Sequence, residues 1–190
     1  MNVDDNDSLL RFVRRYLAEH YVPPAPPPNP FFPFYLGAAS AVPPSVRAVL
    51  RTDTLTPASK NVLFRSIQDM LQPGFRELLF DMMQEKGLSA VDLYQRADLT
   101  KGHFSKIKTD EHYHPSKETV LALALGLRLT LEETLQLLER AGYTLTDSSP
   151  TDVIVKCFIE IELFDVRKLN AILDAFGLST ITNYKRPRTM

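Results

Sequence analysis

Side chains that can contact nucleic acid are concentrated between residues 96 and 117. A lysine ammonium donates hydrogen bonds to guanine O6 and N7 or to a phosphate, and a serine hydroxyl both donates and accepts. The segment has a formal surplus of two positive charges, which comes from Arg96, Lys101, Lys106, Lys108 and Lys117 against Asp98, Asp110 and Glu111. This surplus favours contact with phosphates, although a solvated polar helix face would carry the same residues.

Three histidines lie in the same segment, at His103, His112 and His114. Two histidines at i and i+2 in a loop, with no cysteine beside them, are a poor match for the ligand spacing of zinc sites. Contact with phosphate or water is favoured for them, and no metal or other cofactor is predicted. The chain also lacks a phosphate-binding glycine loop and a Cys/His nucleophile pattern, and Cys157 lies in an apolar run where a buried thiol is expected. We therefore expect a protein that is not an enzyme.

Composition limits the class and the compartment of the protein. The chain has 190 residues, of which 44% are hydrophobic and 24% charged, as is typical of a globular protein with a buried core. A single cysteine excludes an internal disulfide framework, and the start of the chain is acidic, unlike a secretion signal. No apolar run approaches the roughly 20 residues of a membrane-spanning helix. These features predict a cytoplasmic protein without a membrane partner, and the net charge of -1 means that any binding to DNA must depend on local charge.

Between residues 73 and 145, helix start and stop signals alternate with apolar positions at helical spacing. Five short helices are predicted there, which leaves no room for a sheet, so the expected fold class is all-α. The third of them spans Thr100 to about Lys108, with Phe104 and Ile107 as its apolar positions. The start signals are Ser89 with Asp92, Thr100, Pro115 with Ser116, and Thr130 with Glu133, and the stop signals are Gly87 and Gly142.

The N-terminal part combines two amphipathic helices with a proline-rich arm. A helix capped by Ser8 is predicted within residues 1–21, and a connecting helix within residues 56–72. Residues 22–55 form the arm, since nine of the fourteen prolines fall between Val22 and Pro44 and exclude a helix there. Four aromatic residues of the arm either pack on the chain's own core or bind a protein partner: Phe31, Phe32, Phe34 and Tyr35.

The C-terminal part begins with a predicted helical pair in residues 146–178. Its first helix starts at Ser149-Pro150, and its second is capped by Asp165. The pair is apolar enough either to extend the helical core or to form a dimer surface. Residues 179–190 are interpreted as a basic tail that can add nonspecific affinity for phosphates or simply stay solvated.

The segment from Ser89 to Ile107 resembles, without gaps, the helix-turn-helix core of phage-repressor-like (Xre-like) regulators. The five-helix order between residues 75 and 142 agrees with that family. The resemblance implies a DNA-binding domain whose recognition helix is the third helix, and a homodimer that binds paired half-sites of double-stranded DNA. The DNA-binding residues that it implies are Lys101, Gly102 and Ser105 at the bases, Lys106 and Lys108 near the phosphates, and Ser89, Thr100 and His103 beside them.

Two positions differ from the family pattern. Tyr94 stands where the family usually has a small residue, because the two motif helices cross closely there. Asp98 stands where the turn often has glycine, and aspartate tolerates the left-handed conformation better than most residues. A wider helix crossing is therefore expected at Tyr94. Gly102 offers no side chain to the bases, so weak discrimination between sequences is expected.

Two functions remain open at this point. In the first, the protein is a dimeric helix-turn-helix transcriptional regulator, a repressor or autoregulator, that places the third helix in a major groove. In the second, the same scaffold is a protein-interaction module, antitoxin-like or a defence-system adaptor, that uses the aromatic residues of the arm. Local charge favours the first function, whereas Tyr94, Gly102 and the near-neutral net charge favour the second.

Overall fold

The computed structural model describes residues 6–23, 74–110 and 113–183, together with Asn61 and Arg65. The chain divides into two units, Met1–Pro24 with Pro73–Met190, and Ala25–Gln72. Asn61 and Arg65, both helical, are the described positions of the second unit. The predicted aromatic contacts of the arm, at Phe31, Phe32, Phe34 and Tyr35, lie outside the described residues, as do most of residues 22–55 and 56–72.

The first unit is all-helical within the described residues, which confirms the predicted fold class. The described part of this unit contains eight helices: α1 (Asn6–His20), α2 (Phe75–Glu85), α3 (Ala90–Arg96), α4 (Lys101–Thr109), α5 (Lys117–Leu127), α6 (Leu131–Arg140), α7 (Pro150–Glu160) and α8 (Val166–Ala175).

Helix α5 is the centre of the unit. All nine of its residues from Thr119 to Leu127 are buried, and α3, α6 and α8 pack against it. A helix that is apolar on every side must be enclosed by other elements. Helix α4 packs against α3, so the buried helix α5 determines the position of α4 through α3.

The predicted caps between residues 73 and 145 are confirmed. The side chains of Ser89, Thr100 and Ser116 each accept a hydrogen bond from the backbone amide three residues further on. Thr130 and Glu133 form a complete capping box at the start of α6. These bonds satisfy amide donors that have no partner within a helix, which is why short helices can begin at these positions.

One detail differs from the predictions: Ser8 lies inside α1 (Asn6–His20) and is therefore not its cap. Val91 of α3 is apolar and yet 50% exposed, whereas Leu93 of the same helix is fully buried. A helix of seven residues presents only a narrow face to the core, and Val91 falls outside it.

The C-terminal pair extends the helical core. Helix α7 buries Val153, Ile154, Val155, Cys157, Phe158 and Ile159, and packs against α1, α6 and α8. On the α1 side, the Tyr16 hydroxyl donates to Glu160 Oε2 at 2.6 Å. The pair therefore extends the helical core in the described structure, because other helices of the chain cover these apolar faces.

Candidate nucleic-acid interface

Helix α4 is anchored through one side and exposed on the other. Phe104 and Ile107 are buried, at 4% and 1% exposure, and point into the core. Five of the predicted DNA-binding residues are exposed on α4. We call this surface the α4 face: Lys101, Gly102, Ser105, Lys106 and Lys108. The structure thus brings five of the eight predicted residues onto one helix surface.

The three lysines of the α4 face take part in none of the ion pairs found among the described residues. Other lysines do: Lys86 pairs with Glu133, Lys117 with Asp152, and Lys156 with Asp147. No residue of α4 is acidic. The positive charge of this face is therefore not neutralised within the helix or by an ion pair in the described part of the chain.

The position of Lys101 is informative because it is the first residue of α4. A helix carries partial positive charge at its N-terminus, so a lysine there is electrostatically unfavourable, whereas Lys106 and Lys108 lie in the last turn, where the dipole stabilises cations. The helix dipole thus explains the positions of Lys106 and Lys108 but not that of Lys101. An anionic ligand in front of the helix would offset the unfavourable charge of Lys101.

Gly102 leaves the backbone of α4 open to solvent. A Cβ atom added there would meet no atom within 4 Å, so packing does not require glycine at this position. Glycine in a helix is also less stable than alanine by roughly 1 kcal/mol. The absence of a side chain allows another molecule to approach the backbone closely.

His103 is half-buried and contacts the loop before α5. Its Nε2 atom lies 2.7 Å from the Tyr113 hydroxyl. Burial raises the pKa of Tyr113, while a hydrogen bond with Thr119 lowers it less. The contact joins the first turn of α4 to the loop before α5, so His103 positions the helix.

Ser89 and Thr100 are exposed and act as caps. Ser89 Oγ accepts from the amide of Asp92 at 3.2 Å and donates to Asp92 Oδ2 at 2.6 Å. This hydrogen bond to the carboxylate is the main reason that the pKa of Asp92 is lowered. Thr100 Oγ1 accepts from the amide of His103 at 3.1 Å. Both residues fix the starts of their helices, α3 and α4.

Tyr94 and Asp98, the two residues that differ from the family pattern, both fit at the junction of α3 and α4. Asp98 is left-handed, with φ of 53°, as its residue type allows. The ring of Tyr94 is half-buried and packs at a tilt against Phe104, with 6.1 Å between the ring centroids. The close helix approach lies elsewhere, at Gly126 of α5, where a Cβ would stand 3.1 Å from the Ala97 amide nitrogen.

Asp98 also contacts the C-terminal part of the chain, which the sequence did not predict. Asp98 Oδ2 accepts from Thr182 Oγ1 at 3.0 Å, and Oδ1 accepts from Arg167 Nε at 3.4 Å. A polar cleft of about 800 Å³ lies between this turn and residues 180–183, and Thr100 and His103 line it. One sequence feature could have indicated that this segment is packed: Ile181 is an apolar residue among polar neighbours. It is 4% exposed.

The loop histidines are only partly described. The ring of His114 contacts that of Tyr143 edge-on, with 5.7 Å between centroids, and His112 lies outside the described residues. Among the residues that the structure describes, no three His, Cys, Asp or Glu side chains are grouped as metal ligands. In the same part of the chain, no helix is both long enough and apolar enough to cross a membrane.

No family model, curated protein or solved structure matches the chain.

Proposed function

We propose that this protein is a helix-turn-helix DNA-binding transcriptional regulator, a repressor or autoregulator, with α3 and α4 as the two motif helices. In this proposal, α2 to α6 form the five-helix, Xre-like domain and α4 enters a major groove. The observation that carries it is the α4 face, an exposed surface with three lysines outside the ion pairs and one of them, Lys101, at an electrostatically unfavourable helix start.

The chemistry of this face favours phosphates over bases. Lysine ammonium groups release counterions when they approach phosphates, which gives affinity that depends on salt and not on sequence. Base discrimination would rest on Lys101 and Ser105, because Gly102 has no side chain. We expect modest specificity for one duplex over another, and a close approach of the α4 backbone to the groove at Gly102.

The proposal includes a homodimer, since a single α4 reads few base pairs and two copies would double the contacts on paired half-sites. Sedimentation of the native chain with a saturating duplex should give two protein chains per duplex. A single chain per duplex would remove the dimer from the proposal without affecting the role of α4.

Replacing two lysines of the α4 face tests the proposal. We expect Lys101→Ala/Lys106→Ala to weaken binding to a 30-base-pair duplex of random sequence by about tenfold at 0.1 M salt. The plot of log affinity against log salt should become shallower by about 2, since each lost phosphate contact contributes roughly 0.9 to the slope. Fluorescence anisotropy at several salt concentrations measures both quantities.

The matched control is Arg11→Ala/Arg15→Ala, which removes the same charge from exposed positions of α1. This control should keep the native slope. If the native chain does not bind the duplex, or if both variants behave alike, the α4 face is not a DNA-binding surface. A protein-interaction module would then be the better proposal for the same scaffold.

A further inference from the structure

The stretch after α8 is fastened to the core by a buried asparagine. Asn170 of α8 is fully buried; its Oδ1 accepts from the Ile181 amide at 2.9 Å and its Nδ2 donates to Thr182 Oγ1 at 2.7 Å. The side chain of Ile181 is buried as well, so this stretch is an anchored part of the fold. It differs in this from the solvated tail predicted over residues 179–190, of which residues 184–190 lie outside the described part of the chain.

Thr182 connects this anchor to the turn between α3 and α4. Its hydroxyl accepts from Asn170 and donates to Asp98 Oδ2 at 3.0 Å, so one directed chain of hydrogen bonds runs from α8 to the turn. Arg167 of α8 also reaches Asp98, with 3.4 Å between Nε and Oδ1, but the Arg167 side chain is 78% exposed. Water and salt screen an exposed ion pair, so the bond from the part-buried Thr182 is expected to hold the carboxylate more firmly.

The backbone at Asp98 sets the direction in which α4 leaves the turn. Asp98 is left-handed, with φ of 53°, a conformation that few residues other than glycine adopt readily. Thr100, the N-cap of α4, is two residues further on, and Lys101 is the first helical residue. A change of backbone conformation at Asp98 would therefore move the start of α4, and with it the ammonium of Lys101. The bond from Thr182 opposes such a change because it holds the Asp98 side chain.

We propose that Thr182 is a positioning residue for the DNA-binding helix: through its hydrogen bond to Asp98, it keeps the start of α4 in the orientation that meets DNA. This inference rests on the proposed function. It extends the DNA-binding unit beyond α2 to α6, because α8 and the stretch that Asn170 anchors then belong to it. In this arrangement Thr182 itself need not touch DNA. It raises the affinity because a larger fraction of the free protein is already in the binding-competent conformation.

Removal of the hydroxyl tests this inference. Thr182→Val keeps nearly the same side-chain shape and the same net charge, and should weaken binding to the random 30-base-pair duplex about threefold at 0.1 M salt. The salt slope should stay native, because no cation is lost. Thr182→Ser keeps a hydroxyl that can both accept and donate, and should restore the native affinity. Fluorescence anisotropy measures affinity and slope, and circular dichroism shows that each variant is folded.

The matched control is Tyr16→Phe, which also removes one hydroxyl that donates to a carboxylate. Tyr16 bonds to Glu160 Oε2 at 2.6 Å, between α1 and α7. This variant should lose stability without losing affinity for the duplex. Equal weakening of duplex binding by Tyr16→Phe and Thr182→Val would show that only general stability is affected, and it would overturn the inference.

The path through Asp98 is tested by a double-mutant cycle with Asp98→Gly. Glycine accepts the left-handed turn but offers no carboxylate to Thr182. If Thr182 acts through this bond, Thr182→Val should have no further effect on affinity in the Asp98→Gly chain. The same loss in both backgrounds, or a Thr182→Ser variant that binds as weakly as Thr182→Val, overturns the inference.

Two outcomes separate this inference from the proposed function. If Lys101→Ala/Lys106→Ala weakens binding while Thr182→Val matches the native chain, the positioning role is overturned and the proposed function stands. If the native chain does not bind the duplex, the proposed function fails first and the positioning role fails with it.

Discussion

Replacing Asp152 with alanine is expected to lower the free energy of unfolding by about 3 kcal/mol. The Asp152 side chain is 3% exposed, and its Oδ2 accepts from Lys117 Nζ at 2.6 Å and from the Thr146 amide at 2.9 Å. These bonds join the first turn of α7, which contains Asp152, to the first turn of α5 and to the loop before α7. Without the carboxylate, an ammonium that is only 24% exposed and a backbone donor both lose their partner, and each such loss is costly away from water.

Urea unfolding followed by circular dichroism measures this effect, and the chain offers a matched control. Asp147 pairs with Lys156 at the same N–O distance of 2.6 Å, but the Asp147 side chain is 58% exposed. The two ammonium groups are similarly exposed, at 24% for Lys117 and 18% for Lys156, so the pairs differ mainly in the burial of the carboxylate. Asp147→Ala removes an exposed carboxylate and should cost less than about 1 kcal/mol. Equal losses for the two variants would show that burial of Asp152 is not the cause.

Replacing Gly126 with valine is expected to cost about 3 kcal/mol, because the space around it is already filled. A Cβ alone would stand 3.1 Å from the Ala97 amide nitrogen and 3.2 Å from Ala97 Cβ. The amide is fixed by its own hydrogen bond to the Leu93 carbonyl at 2.9 Å, so it cannot move aside without breaking α3. The two γ-methyl groups of valine would add further overlap.

Gly102→Val is the control for this prediction, since a Cβ at Gly102 meets nothing within 4 Å. The same substitution in an open helical position should change stability by no more than about 0.5 kcal/mol, because valine is a slightly better helix former than glycine. Thermal unfolding of both variants separates the two positions. A tolerated valine at Gly126 would contradict the close packing of α3 on α5.

The elements of the described fold are predictable from the sequence because their causes are local. A side-chain cap and the amide that it satisfies are three residues apart, as in Ser89 with Asp92 and Thr130 with Glu133. The left-handed turn at Asp98 depends on one residue type. The exposed α4 face follows from the same local pattern, since fixing Phe104 and Ile107 as core positions also fixes which residues face outward.

Contacts between distant residues are not predictable in this way. The bonds of Asp98 to Thr182 and of Lys117 to Asp152 join positions 84 and 35 residues apart, and nothing in a local pattern specifies which polar groups meet. The role of His103 shows the same limit. Its place in the motif predicts contact with DNA, whereas its bond to Tyr113 depends on how the loop before α5 folds back.

A thiol at the centre of the α4 face tests most directly whether this face contacts DNA. The native chain has one cysteine, Cys157, which is fully buried; burial, aided by the charge of Glu160, raises the pKa of its thiol to about 12. At pH 8 very little of it is the reactive thiolate, so it does not compete in an alkylation experiment. Ser105→Cys therefore introduces a single accessible thiol, and Gln136→Cys at an exposed position of α6 is the matched control.

The measurement is the rate of alkylation by iodoacetamide at pH 8, with and without a saturating duplex. We expect the duplex to slow the reaction of Ser105→Cys at least fivefold and to leave that of Gln136→Cys unchanged. An unchanged rate for Ser105→Cys, in a variant that anisotropy shows to be bound to the duplex, would contradict the assignment of the α4 face as the DNA-binding surface.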